Sequence, residues 1–349
     1  MLPSPWRSAP STATRQMPNM TRPLTLLLLI ASLGGCAREL APDPELEYLD
    51  TSALPTPDLQ VRIAGLSPCR QGDRSLTLAS DEPVTVLVHG CYGSAARFRG
   101  LAQVLAYHGQ QTACFEYDYR DSMMDASSDL ARAVAELAGK LKRPDITVIG
   151  HSQGALISRK ALVRDRPDPL SPGTADLRLV TVSGPFAGIE SAEPCGHVTL
   201  RRATLGLMNV LCHLVSGAKW DEITYSSPYI VEPGRLSPDI RRYLKINTDE
   251  RDSCRLQQDG RCLEDDEVFS LAEQEQPLID GDAVTEVMTV KAGHAEIVGD
   301  ERVAPTKLIA TLQAQGVLNP TPPERRAGLQ RLLARVYGAT GPIAGASAP

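Results

Sequence analysis

Residues 146 to 163 constrain the fold of this chain more than any other stretch. Ile146-Thr-Val-Ile149 is a short apolar run rich in β-branched residues and reads as a buried strand. Gly150-His151-Ser152-Gln153-Gly154 follows at once, and helical apolar spacing runs from Ala155 to Val163. A serine set between two glycines at a strand-to-helix junction marks a tight turn, where neighbouring backbone passes too close for side chains. The same alternation recurs along the chain. Val84-Thr-Val-Leu-Val88, Thr112 to Tyr117, Leu177 to Val182, Tyr243 to Asn247 and Thr285 to Val290 read as strands. Helical spacing covers 94–108, then Leu130, Val134, Leu137 and Leu141, and finally 304–315. Strands alternating with helices predict parallel βαβ units, hence an α/β fold with a mostly parallel sheet and helices on both faces.

Roughly 60 residues separate the strand at 177–182 from the next, too many for a plain connection, so a cap insertion over about 186–240 is expected. Within it, 199–215 is leucine-rich on more than one side. It reads either as a helix packed into the body or as a lid over an apolar site. A second insertion spans Arg251 to Glu264. A further helix is expected at 322–337, and the tail from Gly341 to Pro349 reads as disordered. The body is thus placed at 59–320, with 321–349 as a C-terminal helix and tail.

The N-terminal 35 residues read as a signal peptide: a short apolar core, residues 24–33, follows Arg22 and ends in small residues. Residues 1–19 are polar and proline-rich, and Met17 or Met20 is a more natural start. Leu33-Gly34-Gly35-Cys36 resembles a bacterial lipobox, which implies acylation of Cys36, and Ala37 after it favours the outer membrane. Pro42, Pro44, Pro55 and Pro57 make 36–58 a tether. The chain carries a formal net charge of −6. Past residue 35 there are 33 basic residues against 42 acidic ones, without a basic cluster, which argues against nucleic acid as a partner.

Export implies an oxidising compartment. Of the eight cysteines, seven remain beyond Cys36, so at least one thiol is expected to stay free or to pair with another molecule. Cys254 and Cys262 flank a turn-rich stretch and are the best local pair. Cys195 and Cys212 come next, and Cys69, Cys91 and Cys114 are not resolved. Cys195, His197, Cys212 and His213 could instead supply zinc ligands, although a disulfide suits that compartment better.

The glycine-framed Ser152 on its strand–helix junction resembles the nucleophile elbow of the α/β-hydrolase family, and within it the lipase-like esterases. The likeness spans roughly 60–318. His89-Gly90-Cys91-Tyr92-Gly93 after the strand at 84–88 resembles that family's H-G-x-x-G segment, which implies oxyanion donors at the amides of Cys91 and Gln153. Cys91 as a thiol nucleophile lacks a partner in the expected chain order. Among six histidines, His294 alone falls just past the last strand. Gly293-His294-Ala295-Glu296-Ile297 resembles the lipase G-H-x-x-[IV] loop, which makes His294 the base.

The triad acid is expected at Asp266, since Asp266-Glu267-Val268 matches the D-x-V pattern and Ser270 to Gln274 continues as a helix. Asp249 and Asp265 are the alternatives. Glu264 to Glu267 could also be a solvated acidic turn or a weak calcium site. The resemblance implies a serine hydrolase of acyl esters that needs no cofactor or metal, with a small-molecule or lipid ester as partner and a membrane contact through the anchor. An acyl thioesterase or acyltransferase with the same triad, and a catalytically silent envelope lipoprotein, are the competing readings.

Overall fold

The computed structural model describes residues 51–69, 74–91, 98–166, 175–189, 219–300 and 302–338. All belong to the compact unit Pro42–Pro349, the other unit being Met1–Ala41. Several expectations lie outside the described residues: the signal peptide, Cys36, the tether up to residue 50, Tyr92 and Gly93, the 199–215 segment, Cys195, His197, Cys212, His213 and the tail.

In chain order the elements are β1 (Leu59–Val61), β2 (Leu66–Ser67), β3 (Leu76–Leu78), β4 (Val84–Val88), α1 (Arg99–Tyr107), β5 (Gln111–Phe115), α2 (Met123–Lys140), β6 (Asp145–His151), α3 (Gln153–Ala161) and β7 (Asp176–Val182). Then follow α4 (Lys219–Glu222), α5 (Pro228–Val231), β8 (Ile240–Asp249), β9 (Cys254–Gln258), β10 (Arg261–Asp265), α6 (Leu271–Gln274), α7 (Pro277–Asp280), β11 (Thr285–Lys291), α8 (Thr306–Ala314) and α9 (Arg326–Tyr337).

The main sheet has seven strands in the order β11-β8-β7-β6-β4-β5-β2. Its pairings are parallel except at the edge, where β2 runs antiparallel to β5. Successive residues of each inner strand go to opposite faces, and both faces are covered. Val84, Val86 and Val88 of β4 join the core beneath α2 and α3, whereas Leu87 joins the core beneath α1, α8 and α9. That double burial is why these strands read as continuous apolar runs. The chain proceeds from β4 outward to β5, then returns to β6 on the other side of β4. The carboxyl ends of β4 and β6 therefore flank the point where strand order reverses, the crevice in which open α/β sheets bind ligands.

Several boundaries differ from expectation, and β8, expected at 243–247, runs from Ile240 to Asp249. The helix expected around 130–141 begins at Met123, because Ser122 caps it and accepts from the Asp125 amide. The Glu222 carboxylate takes the Met123 amide and the Ser122 hydroxyl from about a hundred residues away, a contact no local pattern announces. The insertion 251–264 is a hairpin of β9 and β10 closed by the Cys254–Cys262 disulfide. A second disulfide joins Cys69 to Cys114 in β5, and Cys91 is a free thiol.

Candidate active site

Ser152 joins β6 to α3 with φ 56° and ψ −126°, a backbone region that side-chain-bearing residues rarely occupy. Tight packing imposes it. A Cβ on Gly150 would lie 2.3 Å from the Gly154 carbonyl oxygen, and one on Gly154 would lie 2.3 Å from that of His89. A Cβ on Gly90 would meet the Ser152 Cβ at 2.8 Å, so the end of β4 lies directly against the serine. The Ser152 amide donates to the Val182 carbonyl at 2.9 Å, which fixes the turn to β7.

His294 follows β11 in a loop held from two sides. His151, the residue before the serine, makes a 3.0 Å hydrogen bond from Nε2 to the His294 carbonyl oxygen. Asp266 holds the other side. Its carbonyl accepts the His294 amide, and its carboxylate accepts the amides of Ala295 and Glu296, each at 2.9 Å. The imidazole lies edge-to-face on Phe269 at 4.8 Å.

The partner of the imidazole is Glu250. Its Oε1 lies 3.0 Å from His294 Nδ1, and its side chain is 1% exposed. Oε2 accepts the amides of Val268 at 2.6 Å and Phe269 at 2.8 Å, and Oε1 accepts the hydroxyls of Ser183 at 2.7 Å and Thr248 at 2.8 Å. Burial works to raise this carboxyl's pKa. The His294 hydrogen bond and charge, with the Phe269 amide and the Ser183 hydroxyl, outweigh it and hold the group below the ordinary range. An ionised carboxylate can only accept, so the proton sits on Nδ1 and the lone pair on Nε2.

This corrects the expected acid. Asp266 does not face the imidazole: it clamps the backbone of the loop that carries it. Burial keeps its carboxyl above the ordinary range, against the opposing amides of Ala295 and Glu296. The fit is close, since a Cβ on Gly293 would lie 2.1 Å from Asp266 Oδ2. Asp249 points the other way, with 2.7 Å contacts to Arg251, which holds its carboxyl below the usual range. Asp265 is exposed in β10. Glu264, in the expected acidic turn, pairs with Arg302 at 2.7 Å and Arg255 at 3.0 Å. Glu250 keeps the chain order serine, acid, histidine. One signal could have marked it: an acidic residue standing directly at the end of a core strand, one position beyond Asp249.

Cys91 follows Gly90 past the end of β4, half-buried, and its thiol accepts from the buried Lys219 ammonium. Gln153 is the first residue of α3, where helix amides have no partner within the helix. Its side-chain amide donates to the Tyr119 carbonyl at 3.2 Å. The His89 ring stacks on Tyr117 at 4.3 Å, and the Tyr117 hydroxyl donates to the His89 carbonyl at 2.6 Å. The backbone leading to Cys91 is thereby fixed.

The sheet order, the elbow at the reversal point and the histidine loop past the last strand define the α/β-hydrolase fold. No protein-family model matches the sequence, and no curated protein matches it. Solved structures do resemble it. The mature form of the Bacillus licheniformis lipase BlEst2 is 16% identical, with a TM-score of 0.42, over 68% of this chain and 93% of that one. The Pyrococcus furiosus esterase PF2001 is 15% identical, with a TM-score of 0.41, over 75% and 89%. The esterase Est2 of the planctomycete Thermogutta terrifontis, with propionate bound, is 16% identical, with a TM-score of 0.43, over 74% and 90%.

Proposed function

We propose that the protein is a serine hydrolase of carboxylic esters that works through an acyl-enzyme on Ser152. Two observations carry this reading: a strained, glycine-framed serine, and a histidine whose Nδ1 faces a buried carboxylate and whose carbonyl is bound by His151, the residue before that serine. Ser152 Oγ attacks the acyl carbonyl while its proton passes to His294 Nε2. Glu250 keeps the imidazole in the productive tautomer and stabilises the imidazolium. The amides of Cys91 and Gln153 receive the oxyanion, a contribution of about 3 kcal/mol per donor. The imidazolium then protonates the leaving alcohol. Water, deprotonated in turn by His294, releases the acid and restores the serine.

The test is turnover of p-nitrophenyl esters of graded chain length, with labelling by a fluorophosphonate, beside Ser152→Ala. Hydrolysis and labelling that both vanish in the variant support the reading. Labelling without ester turnover would move the assignment to a thioesterase or acyltransferase. Absence of both from folded wild-type protein would leave a silent binding module.

We also propose that the chain is anchored to the bacterial envelope, at the outer membrane, by acylation of Cys36, on the support of the sequence Leu33-Gly34-Gly35-Cys36. Metabolic labelling with a palmitate analogue should mark the wild type and not Cys36→Ser. Equal labelling of both would reject the anchor.

A further inference from the structure

We infer that Ser183 is a positioning residue of this site, sharing the Nδ1 proton of His294 with Glu250; the inference rests on the hydrolase reading above. Ser183 stands just past the end of β7, next to the strand that carries the elbow, and is fully buried. Its φ is +48°, a left-handed conformation that favours glycine, yet the position carries a hydroxyl. Of the four described non-glycine residues with positive φ, two are Ser152 and Ser183, and the other two, Asp252 and Asp259, lie in turns.

The proton inventory explains the hydroxyl. Ser183 Oγ lies 2.7 Å from Glu250 Oε1, 2.8 Å from His294 Nδ1 and 2.7 Å from Thr248 Oγ1. Glu250 only accepts, and its Oε2 already takes two amides, so the single Ser183 proton goes to Oε1. The lone pairs of Oγ then face the N–H of His294 and the Thr248 hydroxyl, whose one proton is shared between Oγ and Oε1. Thr248 is itself fixed: its amide donates to Gln274 Oε1 and its carbonyl accepts from Gln274 Nε2, both at 2.8 Å, and Gln274 is fully buried.

The imidazole N–H thus meets a forked acceptor, Oε1 at 3.0 Å and Oγ at 2.8 Å. A flipped ring would turn a C–H toward both oxygens. Deleting the hydroxyl removes one tine of the fork and one donor to the carboxylate together. The imidazole then rests on a single oxygen, with wider latitude about its ring torsion, and Nε2 aims less well at Ser152.

Ser183→Gly separates this role from a structural one, because glycine relieves the backbone while deleting the hydroxyl. The full chain with its disulfides is compared with wild type for kcat and KM on p-nitrophenyl butyrate, for Tm, and for the rate of fluorophosphonate labelling. The expected result is a Tm no lower than wild type, a KM within about twofold, and kcat and labelling rate both reduced about tenfold or more. Wild-type kcat in the glycine variant would overturn the inference, as would losses that merely track the fraction folded. Should the glycine variant fold poorly, Ser183→Ala supplies the same comparison of kcat against KM. The two readings fail separately. Wild-type protein that neither turns over ester nor labels sinks the hydrolase assignment, whereas active wild type beside an equally active glycine variant sinks only the role of Ser183.

Discussion

Glu250 Oε1 and His294 Nδ1 face each other at 3.0 Å across the carboxyl end of the sheet, while Asp266 grips the backbone amides of the same histidine and of the two residues after it. One acid thus governs the ring and the other the loop, and substitution separates them. Glu250→Gln keeps the shape but offers an amide to Nδ1, which favours the wrong tautomer. It is expected to lower kcat by about a thousandfold or more. Asp266→Asn is expected to keep kcat within about tenfold while costing about 2 kcal/mol of stability through the lost amide contacts. Kinetics and urea unfolding on both variants check the division; the reverse pattern would restore Asp266 as the triad acid.

The two acids also respond oppositely to pH. Glu250 is held below its ordinary value of 4.5, so its ionisation stabilises the fold, fully above that pH and less as pH falls through the lower folded value. Asp266 is held above its ordinary value of 3.8, so its protonated form favours the fold and that contribution is lost as pH rises through the folded value. Between about pH 3 and 6, the wild-type advantage over Glu250→Gln should therefore grow with pH, and that over Asp266→Asn should shrink. Unfolding free energies measured across that range give the two slopes; slopes of the same sign would contradict the assignment.

The glycines of the elbow leave no room for a methyl group. Gly154→Ala would place a carbon 2.3 Å from the His89 carbonyl oxygen, a clash with fixed backbone on both sides. A loss of about 3 kcal/mol or more and abolished labelling of Ser152 are expected. Gly260→Ala offers a control of a different kind: its Cβ meets nothing within 4 Å, so only the φ of +74° resists the change. That variant should cost about 1 kcal/mol and leave kcat intact, as thermal unfolding and turnover will report.

The disulfides should separate stability from activity. Cys69 and Cys114 close a loop of 45 residues and Cys254 and Cys262 one of 8, for which chain entropy gives about 4 and about 2.5 kcal/mol. The short one, however, closes the hairpin that leads into Asp266, whose amide donates to the Ser253 carbonyl at 3.1 Å. Replacing Cys254 and Cys262 by serine is expected to cost less in Tm and more in kcat than replacing Cys69 and Cys114. Equal losses of kcat in the two double variants would argue that the hairpin does not support the histidine loop.

The strands were legible because a sheet covered on both faces needs apolar residues without alternation, as in Val84 to Val88 and Ile146 to Ile149. Ser152 and His294 stand out as candidates because each follows a strand in a pattern whose glycines answer to close contacts, with backbone at Gly150 and Gly154 and with the Asp266 side chain at Gly293. Glu250 does not. At the end of a strand buried on both sides, nothing local reveals which of two neighbouring acids, Asp249 or Glu250, turns inward. Ser183 and Thr248 were hidden more deeply, since each earns its place through a contact between different strands. Asp266 was expected to face His294 and does not: its carboxylate takes the amides of Ala295 and Glu296, contacts that leave no mark in the sequence.

The sheet's second face is finished late. Gly100 in α1 lies so close to the Tyr337 ring that a Cβ there would come within 2.5 Å of it, and the Tyr107 hydroxyl donates to the Arg325 carbonyl at 2.7 Å. The apolar stripe of α1, with Leu101, Val104 and Leu105, thus shares its core with Leu329, Leu333 and Tyr337, more than two hundred residues further along. In a growing chain that stripe can pack early on Leu87, Cys114 and Ile149 of the sheet, but the part of its cover supplied by α9 arrives late, and pairings so distant in sequence form slowly. The elbow half of the molecule is therefore not a unit to be cut free: without α9 the stripe of α1 loses Leu329, Leu333 and Tyr337, and among the described helices only α8 remains beside it on that face.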